Sequence, residues 1–487
     1  MAAMDNAGTQ AGLSMRDGSA AEFPQGFLWG GATSSCQIEG GYGLGGRGDT
    51  LYDYLPVSKS RYAWYTEGNH LTQDAYYPCR KGIDFYHTYR EDIALLAQMG
   101  IKAFRLSVAW SRIFPTGEEE QPCEEGLAFY ESVVDELLAH GIQPVVTILH
   151  YDIPLALIER YNGFASRQVV DLYVRYATAL FDRLGSKVPY WLTFNEINIM
   201  EHCPLDAGVR DLGDNPRETI ARTAHHQFLA SARAINEYRC RGYKGKVGCM
   251  LGYEPVYPQT CNPEDVLMAW NSERQQLQYS DVQAFGHYDQ AVLDRYDANG
   301  WDVVREGDLK EIATGSVDFV SFSYYSSATV SADPNAAMER GNITYSVENP
   351  YLQRTQWGWL IDPLGLELAL RKLYDRYRLP LFIVECGLGV RECPPADGGP
   401  IQDDYRIDYL RRHIEAARCA VAAGVDLMGF LTWSPLDMPS AATGEQEKRY
   451  GFVYVDADNQ GCGTYERSKK ASFDWYAKVI ATNGAEV

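Results

Sequence analysis

From residue 23 onward, short apolar runs of strand length alternate with longer stretches of helical periodicity, and that alternation points to a parallel sheet joined by crossover helices. Strand-like runs fall at 27–32, 101–108, 143–149, 190–194, 246–251, 317–322, 381–385 and 425–431. Helical periodicity fills 84–98, 126–140, 166–184, 216–238, 363–377, 403–423 and 467–480, with a longer helix-rich segment at 262–312. Gly141 directly follows one of these helices and suits a C-terminal cap. No internal repeat and no Gly/Ser/Pro linker interrupts the series. The pattern predicts one closed (β/α)8 barrel, an α/β fold of the TIM type with elaborated loops at its C-terminal face, over residues 23–487. Residues 1–22 are small and polar, without the apolar stretch of a signal peptide or membrane span, and are expected to form a loose tail.

Two of the predicted strands end alike. Tyr190-Trp-Leu-Thr-Phe runs into Asn195 and Glu196, and Leu381-Phe-Ile-Val runs into Glu385. An Asn-Glu pair standing alone could cap the next helix. Two carboxylates on strand ends of one barrel instead suggest a shared pocket, the arrangement that acid-assisted glycoside cleavage requires. Other polar or aromatic residues fall at the same ends: Gln37, Arg105, His150, Tyr325 and Trp433. Any one of them could be a satisfied core group. Seven strand ends of the same character are hard to assign to chance, and in this fold they define the catalytic face. The longest connections, 40–83, 326–362 and 386–402, are expected to wall the pocket.

Composition narrows the partners. With 46% hydrophobic and 13% aromatic residues the chain can bury a large core, and its 34 Tyr and 10 Trp suit a sugar pocket. A formal charge of -21 argues against nucleic-acid or anionic-membrane binding, so an anionic substrate must meet a local cationic cluster. The 11 cysteines lack the spacing of zinc ligands or of a disulfide framework, which reads as reduced thiols in the cytoplasm. No spacing implies a metal or an organic cofactor. Nothing in the sequence fixes an oligomeric state.

Phe27-Leu-Trp-Gly-Gly-Ala-Thr-Ser-Ser-Cys-Gln-Ile-Glu-Gly40, Thr193-Phe-Asn-Glu196 and Ile383-Val-Glu-Cys-Gly387 together resemble the motifs of glycoside hydrolase family 1, and the resemblance runs from Phe27 to the last helix. It implies Glu385 as nucleophile and Glu196 as general acid/base. It implies Gln37, His150 and Asn195 as partners of sugar hydroxyls, Arg105 and Tyr325 as contacts of the nucleophile, and Trp433 as the sugar platform. The family usually has Asn where this chain has Cys386. In these roles Arg105 is expected to keep Glu385 ionised, while Glu196 starts protonated and later acts as base toward water.

The loop after the eighth strand speaks to the substrate. Family members acting on neutral sugars carry a Glu-Trp pair there, whereas this chain has Ser440, Ala441, Ala442, Thr443, Gly444 and Glu445, followed by Lys448-Arg-Tyr450. A carboxylate at 440 would repel a 6-phosphate; Ser440 can donate to it, and Lys448 and Tyr450 add a cation and a hydroxyl. The loop, together with Thr193-Phe-Asn-Glu-Ile-Asn198, Phe322-Ser-Tyr-Tyr325 and Trp357-Gly-Trp-Leu-Ile-Asp-Pro363, resembles the 6-phospho-β-glucosidase branch, with Ala442 where that branch has a second Ser. Ala441, where 6-phospho-galactosidases have Trp, implies a gluco sugar. The expected activity is hydrolysis of 6-phospho-β-glucosides to glucose 6-phosphate and aglycone with retention. The alternatives are a β-glucosidase for unphosphorylated sugars, in which Lys448 and Arg449 are solvated surface charges, and a sugar-binding protein without turnover.

Overall fold

A computed structural model describes residues 22–62, 75–341 and 345–487. The expected tail therefore lies outside the described residues except for its last residue, as does 63–74 of the first long connection.

Eight strands form the barrel: β1 (Leu28–Ala32), β2 (Ala103–Ser107), β3 (Gln143–Leu149), β4 (Tyr190–Phe194), β5 (Lys246–Gly252), β6 (Phe319–Tyr324), β7 (Leu381–Cys386) and β8 (Leu427–Trp433). Each pairs in parallel with its neighbours in sequence, and β8 returns to β1, with Leu28 opposite Gly429 and Ala32 opposite Trp433. The strands are buried along nearly their whole length, as continuous apolar runs covered on both faces must be.

Helices α1 (Phe85–Met99), α2 (Glu124–Ala139), α3 (Gln168–Leu184) and α4 (Pro216–Cys240) cross between the first five strands. The long connection from β5 to β6 holds α5 (Pro263–Phe285), α6 (Gln290–Asn299) and α7 (Asp308–Thr314), and α8 (Pro363–Tyr377) and α9 (Asp404–Ala422) complete the ring before α10 (Ala471–Ala481). α3 shows why these stretches are helical: Val169, Val170, Tyr173, Tyr176, Ala177, Leu180, Phe181 and Leu184 form one buried face at three- and four-residue spacing. Gly141 lies just past α2 at φ 72°, a left-handed conformation that glycine adopts without a Cβ penalty.

The closing helix starts later than its periodicity suggests. Arg467–Lys469 instead pairs antiparallel with Val453–Val455, and the helix begins at Ala471. Lys470 between them points its ammonium into a buried pocket of carboxylates, a tertiary contact that local periodicity cannot register.

Candidate functional site

The predicted residues converge on the C-terminal mouth of the barrel. Arg105, from β2, is fully buried and reaches across the interior: Nε donates to Thr147 Oγ1 on β3 at 2.9 Å, Nη2 to Asn195 Oδ1 after β4 at 2.6 Å, and Nη1 to Glu385 Oε1 on β7. Because a guanidinium only donates, Asn195 must turn its carbonyl oxygen inward, which leaves its amide group as a donor for the pocket. Tyr325 follows β6 and donates to Glu385 Oε2 at 2.6 Å.

Glu385 thus accepts from two buried donors, yet its carboxyl is pushed up to about 7. Burial is the largest cause; Arg105 pulls downward, and the charge of Glu196 pushes upward. The expectation that Arg105 simply holds Glu385 ionised needs this correction. Desolvation of a carboxylate inside the barrel outweighs one fixed cation shared among three acceptors.

Glu196 has a different setting. It is only partly buried, and its two oxygens accept from Ser323 on β6 and from Tyr151 just past β3. Its N–H points at Met250 Sδ of β5, 3.0 Å away. Both partners of the Tyr151–Glu196 hydrogen bond have left-handed backbone, with φ 72° and 34°, strain of the kind retained where geometry serves a site. His150 stacks on Trp433 with centroids 5.9 Å apart, its imidazole kept neutral by burial and then by Arg105, and its Nδ1 has no hydrogen-bond partner among the described residues. Gln37, on a one-turn helix (Ser35–Ile38) after β1, accepts from Ser34 at 2.7 Å and donates to the carbonyl of Pro439 at 2.7 Å. It thereby ties the β1 end to the loop after β8.

That loop forms the second corner of the site. Ser440 is buried; its carbonyl accepts from Gly444 N at 2.7 Å, and its N–H donates to the Glu445 carbonyl at 3.0 Å. Arg61 reaches the Ser440 carbonyl from the first long connection at 3.3 Å. The Tyr450 phenol is also buried, which pushes its pKa up, with the nearby Ser440 side chain pulling it back. Lys448 is 3% exposed, its ammonium 3.9 Å from the Trp359 ring centre and 5.3 and 5.6 Å from those of Trp357 and Tyr450. Among the described residues no acceptor or carboxylate is hydrogen-bonded to it or paired with it, and burial depresses its pKa to about 7 against a weak upward pull from Glu445. Ring faces offset part of the lost hydration of an ammonium but do not satisfy its three donors. Arg449 points elsewhere, with Nη1 and Nη2 on the carbonyls of Val455 and Ala457 at 2.9 and 2.5 Å. Neither residue is a surface charge, whereas Ala442 is exposed.

The two corners meet through aromatic rings. Tyr325, which holds Glu385, lies 5.3 Å from Trp359, which carries Lys448. Sequence reasoning gave no role to Tyr151 and Met250 around Glu196, and Ser323, Trp357 and Trp359 entered it only as parts of motifs. Tyr151 adjoins His150 at a strand end and Ser323 lies two residues before Tyr325, so strand-end position was the available signal; which strand ends face each other across the barrel was not.

Comparison with known proteins follows the same lines. The model for Glycosyl hydrolase family 1 matches residues 19–485. The chain is 50% identical over 467 residues to Aryl-phospho-beta-D-glucosidase BglH of Bacillus subtilis (strain 168), covering 95% of this chain and 98% of that protein. It is 45% identical over 471 residues to 6-phospho-beta-glucosidase AscB of Escherichia coli (strain K12), covering 96% and 99%. Its fold is similar to that of the family 1 β-glucosidase from Thermotoga maritima, with a TM-score of 0.82 at 32% identity over 96% of this chain and 100% of that one.

Proposed function

The chain belongs to glycosyl hydrolase family 1, and from that premise we propose that it hydrolyses 6-phospho-β-glucosides with retention, releasing glucose 6-phosphate and an aglycone. The relatives named for phosphorylated glucosides at 50% and 45% identity support the substrate class. The observation that carries the reading is Lys448, a buried ammonium without an anionic partner, beside Ser440 and Tyr450 and two rings away from Glu385.

In the proposed reaction Glu385 attacks the anomeric carbon while Glu196 gives its proton to the departing oxygen, leaving a glycosyl ester on Glu385. With Glu385 esterified, the negative charge facing Glu196 is gone. Glu196, now a carboxylate, takes a proton from the water that cleaves the ester. Arg105 and Tyr325 orient Glu385, and their hydrogen bonds occupy both of its oxygens until it attacks. Asn195, His150 and Gln37 hold hydroxyls of the sugar, Trp433 is its platform, and Ser440, Lys448 and Tyr450 take the phosphate. A reducing, cytoplasmic setting is supported by the 11 cysteines, none of which forms a disulfide. Among the described residues no helix is long and apolar enough to cross a membrane.

The test is hydrolysis of p-nitrophenyl β-glucoside with and without a 6-phosphate. The phosphorylated compound should be preferred by at least about a hundredfold in kcat/KM, since two charge-assisted hydrogen bonds contribute on the order of 3 kcal/mol. Equal or reversed rates would transfer the assignment to a β-glucosidase for plain sugars, and binding of either without turnover to a sugar-binding protein.

A further inference from the structure

Lys448 reaches the site through a gap that Gly389 leaves. A β-carbon at Gly389 would lie 2.5 Å from Lys448 Cγ and 2.9 Å from its Cε, far inside the 3.5–4.0 Å at which carbon atoms rest. The lysine stem is therefore held between the backbone of residue 389 on one side and the Trp359 ring, over which its ammonium sits, on the other.

The segments that carry Gly389 and Lys448 are fastened to each other. Val390 and Arg449 exchange backbone hydrogen bonds of 3.0 Å in each direction. Buried Arg406, at the start of α9, then fastens the two segments together: Nη1 donates to the carbonyls of Leu388 at 3.1 Å and Tyr450 at 2.6 Å. Nε of the same guanidinium donates to Asp403 at 2.9 Å and Nη2 to Glu392 at 2.5 Å. Glu392 also pairs with Lys470 at 2.5 Å, and Lys470 with Asp437 at 2.9 Å, while Asp437 accepts from the N–H of Gly451 at 2.8 Å. Leu388 and Tyr450 are thus clamped to one buried ionic cluster, while Val390 and Arg449, the residues directly after Gly389 and Lys448, hold each other through the backbone. Gly389 is the fourth residue after Glu385, so the same segment that leaves the nucleophile strand shapes the path of the cation.

We propose that Gly389 is a specificity-determining position: its missing side chain is what lets Lys448 thread from its clamped loop to the 6-position of the sugar, and this rests on the reading that Lys448 meets a 6-phosphate there. Gly389 acts through Lys448, as a positioning residue.

Gly389→Ala, Lys448→Ala and the double variant would be compared with the unaltered protein by kcat and KM on p-nitrophenyl β-glucoside and its 6-phosphate. Gly389→Ala should lower the preference for the phosphorylated compound by about tenfold or more, mainly through its KM, because a misplaced ammonium loses its charge-assisted contact. Adding Gly389→Ala to Lys448→Ala should cause little further loss of preference, since an alanine at 448 vacates the space the new methyl needs. If Lys448→Ala leaves the preference intact, the phosphate reading itself fails. If Lys448→Ala removes it but Gly389→Ala does not, or the two losses add in full, Gly389 has no such role. Should Gly389→Ala fail to fold, folding restored in the double variant would support the proposal, and continued failure would overturn it.

Discussion

At the residue scale the pocket is governed by how far each carboxylate is taken out of water. Glu385 lies on β7 with its neighbours closed around it, and burial raises its carboxyl to about 7 despite Arg105 and Tyr325. A protonated carboxyl cannot attack, so kcat/KM should fall as pH drops through about 7. Tyr325 lowers that value by donating to the ionised form, and Tyr325→Phe should therefore move the acid limb of the pH profile to higher pH, by up to about one unit for a lost hydrogen bond. An acid limb that stays in place in the variant would remove Tyr325 from this role. Glu196 is tested through the leaving group instead. Glu196→Gln should slow alkyl glycosides by about a hundredfold or more and dinitrophenyl glycosides far less in bond cleavage, because an activated phenolate needs little protonation. Equal losses for both classes, measured as the pre-steady-state release of aglycone, would count against an acid role. The strand-end glutamates were legible in the sequence because each follows an apolar run that has no local use for a charge. Tyr151 and Ser323 were not, since a tyrosine or serine beside a strand end carries no sign of which carboxylate it will meet.

At the element scale, the eight strand-helix units follow from periodicity alone, and their order around the barrel is their order in the chain. Closure adds a demand that periodicity does not show. Gly30 on β1 faces Ala103 on β2 so closely that a β-carbon would fall 1.8 Å from the Ala103 carbonyl oxygen. A backbone carbonyl in a parallel ladder cannot swing aside, so Gly30→Ala should destabilise the protein by about 3 kcal/mol, read as a lowered denaturant midpoint. A midpoint unchanged within error would mean that β1 and β2 separate without cost. The helix expected from 467 was shortened for a related reason: Lys470 is drawn into the buried cluster of Glu392 and Asp437, and the residues before it pair as a strand. A helical face is written in spacing, whereas an ion pair between residues of separate elements is not.

At the scale of the whole molecule, a protein of charge -21 should repel a phosphorylated sugar at long range while Lys448 attracts it at short range. Raising ionic strength from about 0.01 to 0.15 M shortens the Debye length from about 30 to 8 Å, which screens the distant charges more than the buried one. kcat/KM for the phosphorylated glucoside should rise about twofold or more over that range while the uncharged glucoside responds little; a fall with salt would show that local attraction controls capture. The sequence by itself determined the barrel, the mouth at which the site opens, and the two glutamates, because each is fixed by apolar runs of strand length, by their alternation with helical periodicity, and by the polar residues at their ends. It also held the Ser-Lys-Tyr set of the last loop, but not whether Lys448 and Arg449 were solvated. Only the tertiary structure decided that Lys448 is buried against Trp359 through the space at Gly389, that Arg449 turns away to bind carbonyls, and that Glu385 is more strongly desolvated than Arg105 can offset. Burial and electrostatic balance depend on every element packed around a group, and those neighbours come from strands and loops far apart in the chain.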